Sequence, residues 1–170
     1  MDAMEAILTR RSIRTYTGEP IPDTALKSLL EAAMSAPSAG NQQPWQFFVI
    51  HDRAILDEIP VVHPYSQSVK MAPVAIVVCG DLKREVHKDF WVQDCAAATQ
   101  NLLIAVQSKG LGAVWLGVYP RQDRVLGMQK LLNLPDHVIP FSIIPVGYPA
   151  EVKLPANRFD GSRIHYNRWE

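Results

Sequence analysis

The run Pro73-Val74-Ala75-Ile76-Val77-Val78-Cys79 most constrains what this chain can fold into. Successive side chains of a strand point to opposite faces, and this run is apolar on both alternations. Such a strand belongs in the middle of a sheet covered on both sides. Helices must therefore supply two layers, and the sequence provides candidates. Met4, Ile7 and Leu8 give a first helix its apolar stripe. After Asp23, a candidate cap, Leu26, Leu29, Leu30, Ala33 and Met34 recur at helical spacing until Pro37. Further strands are expected over 45–50, 113–119 and 141–148, with a short helical stretch near Ile55. Another helix carries Val125, Leu126, Met128, Leu131 and Leu132.

The longest helix is expected over 90–109, with Gly110 just past its end. Its run Cys95-Ala96-Ala97-Ala98-Thr99 is small on every side, and Leu102, Leu103, Ile104 and Val106 continue it. A helix apolar on most faces must be buried on most faces, either inside one monomer or against a second subunit. Residues 151–170 show no helical periodicity, yet they include Phe159, Ile164, Tyr166 and Trp169. This tail is expected to wrap a partner and to add an edge strand over 163–167 to the partner's sheet. The expected architecture is α+β, one domain over 1–170, in a homodimer with exchanged tails.

Composition narrows the function. The chain has 17 basic and 17 acidic residues among 170, so its formal net charge is zero. Nucleic acid and anionic membrane both reward a positive excess and are not expected partners. No apolar run is long enough to span a bilayer, and Met1-Asp2-Ala3-Met4-Glu5 lacks a signal-peptide pattern, so a cytoplasmic location is expected. Cys79 and Cys95 lie in apolar runs without a C-x-x-C pattern and read as core residues. The five histidines are scattered without metal-ligand spacing, and no metal is expected. The sequence contains no G-x-S-x-G elbow, Walker-type loop or G-x-G-x-x-G turn.

Two segments carry candidate chemistry. Arg10-Arg11-Ser12-Ile13-Arg14 places three guanidinium groups and a hydroxyl in five positions, with Arg10 and Arg14 on one face if the helix continues. Guanidinium is a planar fork matched to phosphate oxygens, although a basic run also suits a solvated helix end. Ala36-Pro37-Ser38-Ala39-Gly40-Asn41-Gln42-Gln43-Pro44-Trp45 is a loop with three carboxamides, each both donor and acceptor. It can read a ring edge that alternates carbonyl and N–H groups, or it can be a polar turn before a strand. A ligand with a phosphate tail and a polar heterocycle suits both segments, and FMN is such a ligand.

With the later Gly110-Leu111-Gly112-Ala113-Val114-Trp115-Leu116-Gly117, these segments resemble, in order and over nearly the whole chain, the FMN-dependent nitroreductase family. The resemblance implies a mixed central sheet flanked by helices, in an intertwined homodimer with two FMN sites at the interface. It implies that Arg10, Arg11, Ser12, Arg14 and Arg158 meet the phosphate, with Lys153 a further candidate. Pro37, Ser38, Asn41 and Gln43 would approach the ring from across the interface. Gln67 and Lys70 would lie near the flavin N1–C2 edge. Shorter relatives often carry lysine where this chain has Gln67, which leaves open which of the two makes that contact. Leu116 and Gly117 would lie near N5 and O4, and Leu116 stands where some relatives have glutamate. Tyr65, Phe90 and Trp91 are candidates for the substrate pocket or for core packing. The implied reaction is ping-pong: NADH or NADPH passes a hydride to N5, leaves, and an acceptor such as a nitroaromatic or quinone takes the electrons. No catalytic side chain is implied. Reductive dehalogenation, enone reduction, flavin breakdown or a non-catalytic flavin sensor would use the same motifs.

Overall fold

The computed structural model describes residues 1–169. The last position of the expected tail, Glu170, lies outside the described residues. The helices are α1 (Ala3–Thr9), α2 (Asp23–Met34), α3 (Arg53–Val62), α4 (Trp91–Ser108) and α5 (Gln122–Leu131). The strands are β1 (Trp45–Ile50), β2 (Val74–Asp81), β3 (Gly112–Ala113), β4 (Leu116–Gly117) and β5 (Val138–Gly147). Among the described residues no helix is long and apolar enough to cross a membrane.

The sheet order is β1-β2-β5-β3, with β4 also paired to β5. Every ladder is antiparallel; the parallel component is a single bridge, Ser12 to Ala113. The expectation of a mixed sheet is corrected to that extent. β2 is central and fully buried, as its two-sided apolar pattern requires. Ala75, Val77 and Cys79 pack with Leu56, Ile59, Val125 and Met128 of α3 and α5. Val74 and Ile76 point the other way, into Leu26, Leu29, Leu102 and Val106 of α2 and α4. Two helical layers thus enclose one sheet.

Local signals explain the helix ends. Asp2 accepts the Glu5 N–H and Asp52 accepts the Ala54 N–H, satisfying amides that have no intrahelical acceptor. Pro22 is the cap of α2, so Asp23 is its first residue rather than its cap. α4 closes as expected: Gly110 has φ 70°, its N–H bonds to Gln107, and the Leu111 N–H reaches back to Val106. The strand expected over 113–119 is two short pieces, with Val114 and Trp115 between them packed into two different cores. Over 163–167 no strand forms within the chain; Gly161–Arg163 is a 3-10 turn.

The central strand sets the stability of the whole. Ile76→Ala is expected to lower the unfolding free energy by about 2–5 kcal/mol in urea denaturation. Val49→Ala, on a half-open edge strand, should change it by less than about 0.5 kcal/mol.

Candidate functional site

α1 ends at Thr9, and Arg10 is its C-cap. The arginine segment then runs extended beside β3, where the Ile13 N–H donates to Ala113 O at 2.9 Å. Arg10 and Arg14 therefore do not share a helix face. Arg10 and Arg11 line a cleft of about 370 Å³ together with Arg158 from the tail. The Arg10 guanidinium is held below its usual value by burial first, then by Arg158 and Arg11. Among the described residues none of these arginines, nor Arg14, forms a salt bridge with a carboxylate.

Arg11 differs from expectation. Its Nε donates to Leu154 O at 2.8 Å, and its terminal nitrogens reach Arg10 O and Leu8 O. It clamps the tail to the end of α1 and keeps only part of its donor set for a ligand. Lys153 is likewise engaged, donating to Ser12 O at 2.6 Å and lying 3.3 Å from Glu151 Oε1. Glu151 accepts the Arg14 and Thr15 amides. The Arg14 amide, ahead of Lys153, holds the Glu151 carboxyl below the usual carboxylate range. The tail is thus pinned along 12–15.

In the amide loop, Gly40, Asn41 and Gln43 all have positive φ, at 52°, 55° and 46°. Gln43 donates its amide to Asn41 Oδ1 at 2.8 Å and its N–H to Ser38 Oγ at 3.1 Å. Pro37 and Ser38 line a cleft of about 360 Å³ with Phe90. Trp91 does not join it. That ring is 5% exposed, packs edge-on to Tyr119 and Phe141, and lies over Gly80, where a Cβ would be 2.3 Å from the indole. Trp91 is a core residue, which corrects its candidacy as pocket lining.

A third cleft, of about 550 Å³, opens beside β4. It holds Arg14, Tyr65, Gln67, Leu116 and Gly117. Lys70, one 3-10 turn after Gln67, is exposed and outside it. Nothing lies within 4 Å of where a Gly117 Cβ would be, so a flat group can approach this backbone. Two further residues meet here. His63 Nε2 and Arg124 Nη1 each lie 2.9 Å from Gly117 O and 3.2 Å from each other. The Arg124 guanidinium sits 5.4 Å above the Tyr65 ring. Eleven of the expected residues therefore fall into three clefts of one chain: Arg10, Arg11 and Arg158; Pro37, Ser38 and Phe90; Arg14, Gln67, Leu116, Gly117 and Tyr65; Ser12, Asn41, Gln43, Lys70 and Trp91 line none of the three.

The family model for the nitroreductase family matches residues 7–62 and 61–148. The chain belongs to the nitroreductase family. A Methanothermobacter thermautotrophicus protein provisionally named NADH dehydrogenase/NAD(P)H nitroreductase is 53% identical over 169 residues, covering 99% of this chain and 88% of that one. The structure of an FMN-dependent nitroreductase from Clostridium difficile aligns with TM-score 0.91 at 27% identity, covering 98% of this chain and 99% of that one. A provisionally named nitroreductase from Desulfovibrio desulfuricans, solved in complex with FMN, aligns with TM-score 0.85 at 31% identity over 100% and 99% of the two chains.

In this member of the family, sequence reasoning missed the residues that hold the site together. Asp94 is 4% exposed and accepts the Ala39 N–H at 2.9 Å and the Gln42 amide at 2.7 Å. Gln42 in turn accepts the Val86 and His87 amides. The available signal was an acid inside an otherwise apolar helix, since a buried carboxylate must be hydrogen-bonded. His63 and Arg124 had none, being far apart in sequence. Burial above all, and then Arg124, holds the His63 imidazole below its usual value, against the pull of the Gly117 carbonyl.

Asp94→Ala should cost about 1.5–3 kcal/mol for each lost charge-assisted bond, with Asp94→Asn milder, as read by denaturant unfolding. His63 predicts a pH effect. Its folded value is depressed, so below about 6.5 the unfolded chain binds the extra proton first. Stability should fall with pH from about 6.5 down to the lower folded value, and His63→Gln should flatten that part of a melting-temperature profile.

Proposed function

We propose that the chain is an FMN-dependent NAD(P)H oxidoreductase, acting as a homodimer and delivering electrons by a ping-pong cycle to a nitroaromatic, quinone or similar small acceptor. The observation that carries this reading is the convergence of Arg10, Arg11 and Arg158 in one cleft without a carboxylate partner among the described residues. Like charges gathered this way repel one another and are relieved by a phosphate. The relatives' names, with their NAD(P)H and FMN, support the same assignment.

Bound FMN supplies the redox chemistry, a two-electron carrier between NADH or NADPH and the second substrate. The chain's own residues bind and orient it. Arg10 and Arg158, with the remaining N–H groups of Arg11 and the Ser12 hydroxyl, hold the phosphate. Gly117 leaves its backbone open to the ring, and Leu116 fixes that backbone by burial beneath it. Gln67, which lines the cleft where Lys70 does not, would make the N1–C2 edge contact, and Arg14 would favour negative charge there. Tyr65 covers the acceptor side. Pro37, Ser38, Asn41 and Gln43 reach the ring from the second copy, because within one chain their loop lies at the start of α4, apart from the Gly117 cleft.

The dimer reading rests on apolar surface that one chain leaves open. Val152, Leu154, Phe159, Tyr166 and Trp169 are at least 80% exposed, Met4 and Leu8 are 62% exposed, and the outer edge of β1 has no strand beside it. A second copy with its tail laid on this one covers such surface.

The purified protein is expected to bind FMN, to lose its yellow colour with NADH or NADPH, and to regain it on adding a quinone or nitroaromatic. Arg10→Ala should weaken FMN about 10- to 150-fold in a fluorescence titration, the range for one charged hydrogen bond. Protein that takes up no FMN at micromolar concentration would end this reading.

A further inference from the structure

The Gly117 cleft contains a cluster of three groups that the flavin reading does not use. Gly117 O faces two groups at once, His63 Nε2 and Arg124 Nη1, which are themselves 3.2 Å apart. Nε2 can donate or accept in the neutral ring, but not both. If Nε2 carries the proton, it and the Arg124 N–H both donate to Gly117 O, whose two lone pairs take both, with the two donors 3.2 Å apart. If Nδ1 carries it, Nε2 accepts from Arg124 but turns a lone pair on the carbonyl, and Nδ1, buried without a hydrogen-bond partner, is an orphan donor. The Nε2–H tautomer is the one that fits, and in it Arg124 shares a neutral acceptor with His63.

One member of the triangle can leave it. His63 is 2% exposed and Gly117 is fixed in β4 by its pairing with Ser142. Arg124 is half-buried on the first turn of α5, with its guanidinium over the exposed Tyr65 ring. Among the described residues it has no carboxylate partner, and no residue lining the cleft is acidic. Arg14 adds a second guanidinium to the same walls. The cleft is therefore positive at its open side and apolar at Trp115 and Leu116.

We propose that Arg124 is a specificity-determining arm that leaves the Gly117 carbonyl to grip an anionic oxygen group on the second molecule, the one stacked on the ring over Gly117, beside Tyr65. The inference rests on the flavin reading for what lies over Gly117, and adds that the second molecule on the ring carries a carboxylate or phosphate. When Arg124 moves to that anion, the His63 Nε2–H donates to Gly117 O without a competing donor, and the guanidinium gains a charged acceptor in place of a shared carbonyl. Two sources present this chemistry: the pyrophosphate of the nicotinamide dinucleotide, and a carboxylated aromatic acceptor.

The test compares probe pairs by calorimetry on the FMN-loaded, oxidised protein, wild type and Arg124→Gln. 4-Nitrobenzoate against 4-nitrobenzamide reads the carboxylate source, and NAD⁺ against nicotinamide reads the phosphate source. Arg124→Gln is expected to weaken the anionic member of at least one pair about 10-fold or more, leave both neutral members within about 2-fold, and recover partly in Arg124→Lys. The pair that responds names the source. Equal weakening of charged and neutral probes would make Arg124 a mere support of the cleft and overturn the proposal. So would anionic probes indifferent to the substitution. Flavin content, measured on the same samples, separates the two readings. A wild type that takes up no FMN defeats the flavin reading and the Arg124 proposal with it, whereas a wild type that takes up FMN but whose anionic probes ignore Arg124→Gln defeats the Arg124 proposal alone.

Discussion

The ladder between β2 and β5 is the constraint on which the rest of the structure depends. Both strands are buried on both faces, so neither can rest against water, and the chain must bring two helices to each side. β5 is also the shared partner of β2, β3 and β4. That sharing carries the core's geometry to the surface. β4 lies against Ile143 and Ser142, which sets the height of Gly117 at the sheet's end, and β3 lies against Gly147 and Val146. Ala113 then takes the Ile13 N–H, with Ile13 pressed on Gly112 so closely that a Cβ there would be 2.8 Å from it. The arginines are placed by a hydrophobic residue in their midst.

Zero net charge hides an uneven distribution. Glu31, Asp57 and Asp160 sit in local pairs on the outside, while Asp94 and Glu151 accept backbone amides that shape the amide loop and pin the tail. None of these acids lines the Gly117 cleft or the Arg10 cleft. Arg10, Arg14, Arg124 and Arg158 are left facing them without a carboxylate among the described residues. In partly desolvated clefts such charges interact more strongly than in water, so an anionic ligand is drawn to them. Composition alone reads this chain as neutral, whereas its fold sorts the signs.

What was legible in the sequence was whatever one element decides by itself. Two-sided apolarity fixed β2 as central, helical spacing located α2, α4 and α5, and Gly110 marked the end of α4. The resemblance alone named Arg158 together with Arg10, and the two line one cleft. What failed was what a neighbour decides. Trp91 looks like a stacking residue until Gly80 and Phe141 enclose it. What the run did not show of Arg11 is that its Nε also holds the tail's Leu154 carbonyl. The helix does not continue through Arg14, because Ile13 is recruited by β3 instead. His63 and Arg124 join only through β4, and no local spacing encodes that.

The separation of the clefts bears on what a complete site is. Within one chain the phosphate-type cleft is built from α1 and the tail, the ring-type cleft from β4 and the turn after α3, and the amide loop stands at the start of α4. Glu151, Lys153 and Arg11 hold the tail only as far as Leu154. Beyond it, Phe159, Tyr166 and Trp169 remain uncovered. Leaving that much aromatic surface in water is unfavourable by about 25 cal/mol for each Å² of apolar area. Covering it with a second copy also brings a second amide loop to the open side of the Gly117 cleft in the proposed arrangement. On that reading, burial of the tail and assembly of the ring site are one event, and the chain's least ordered-looking segment is what couples them.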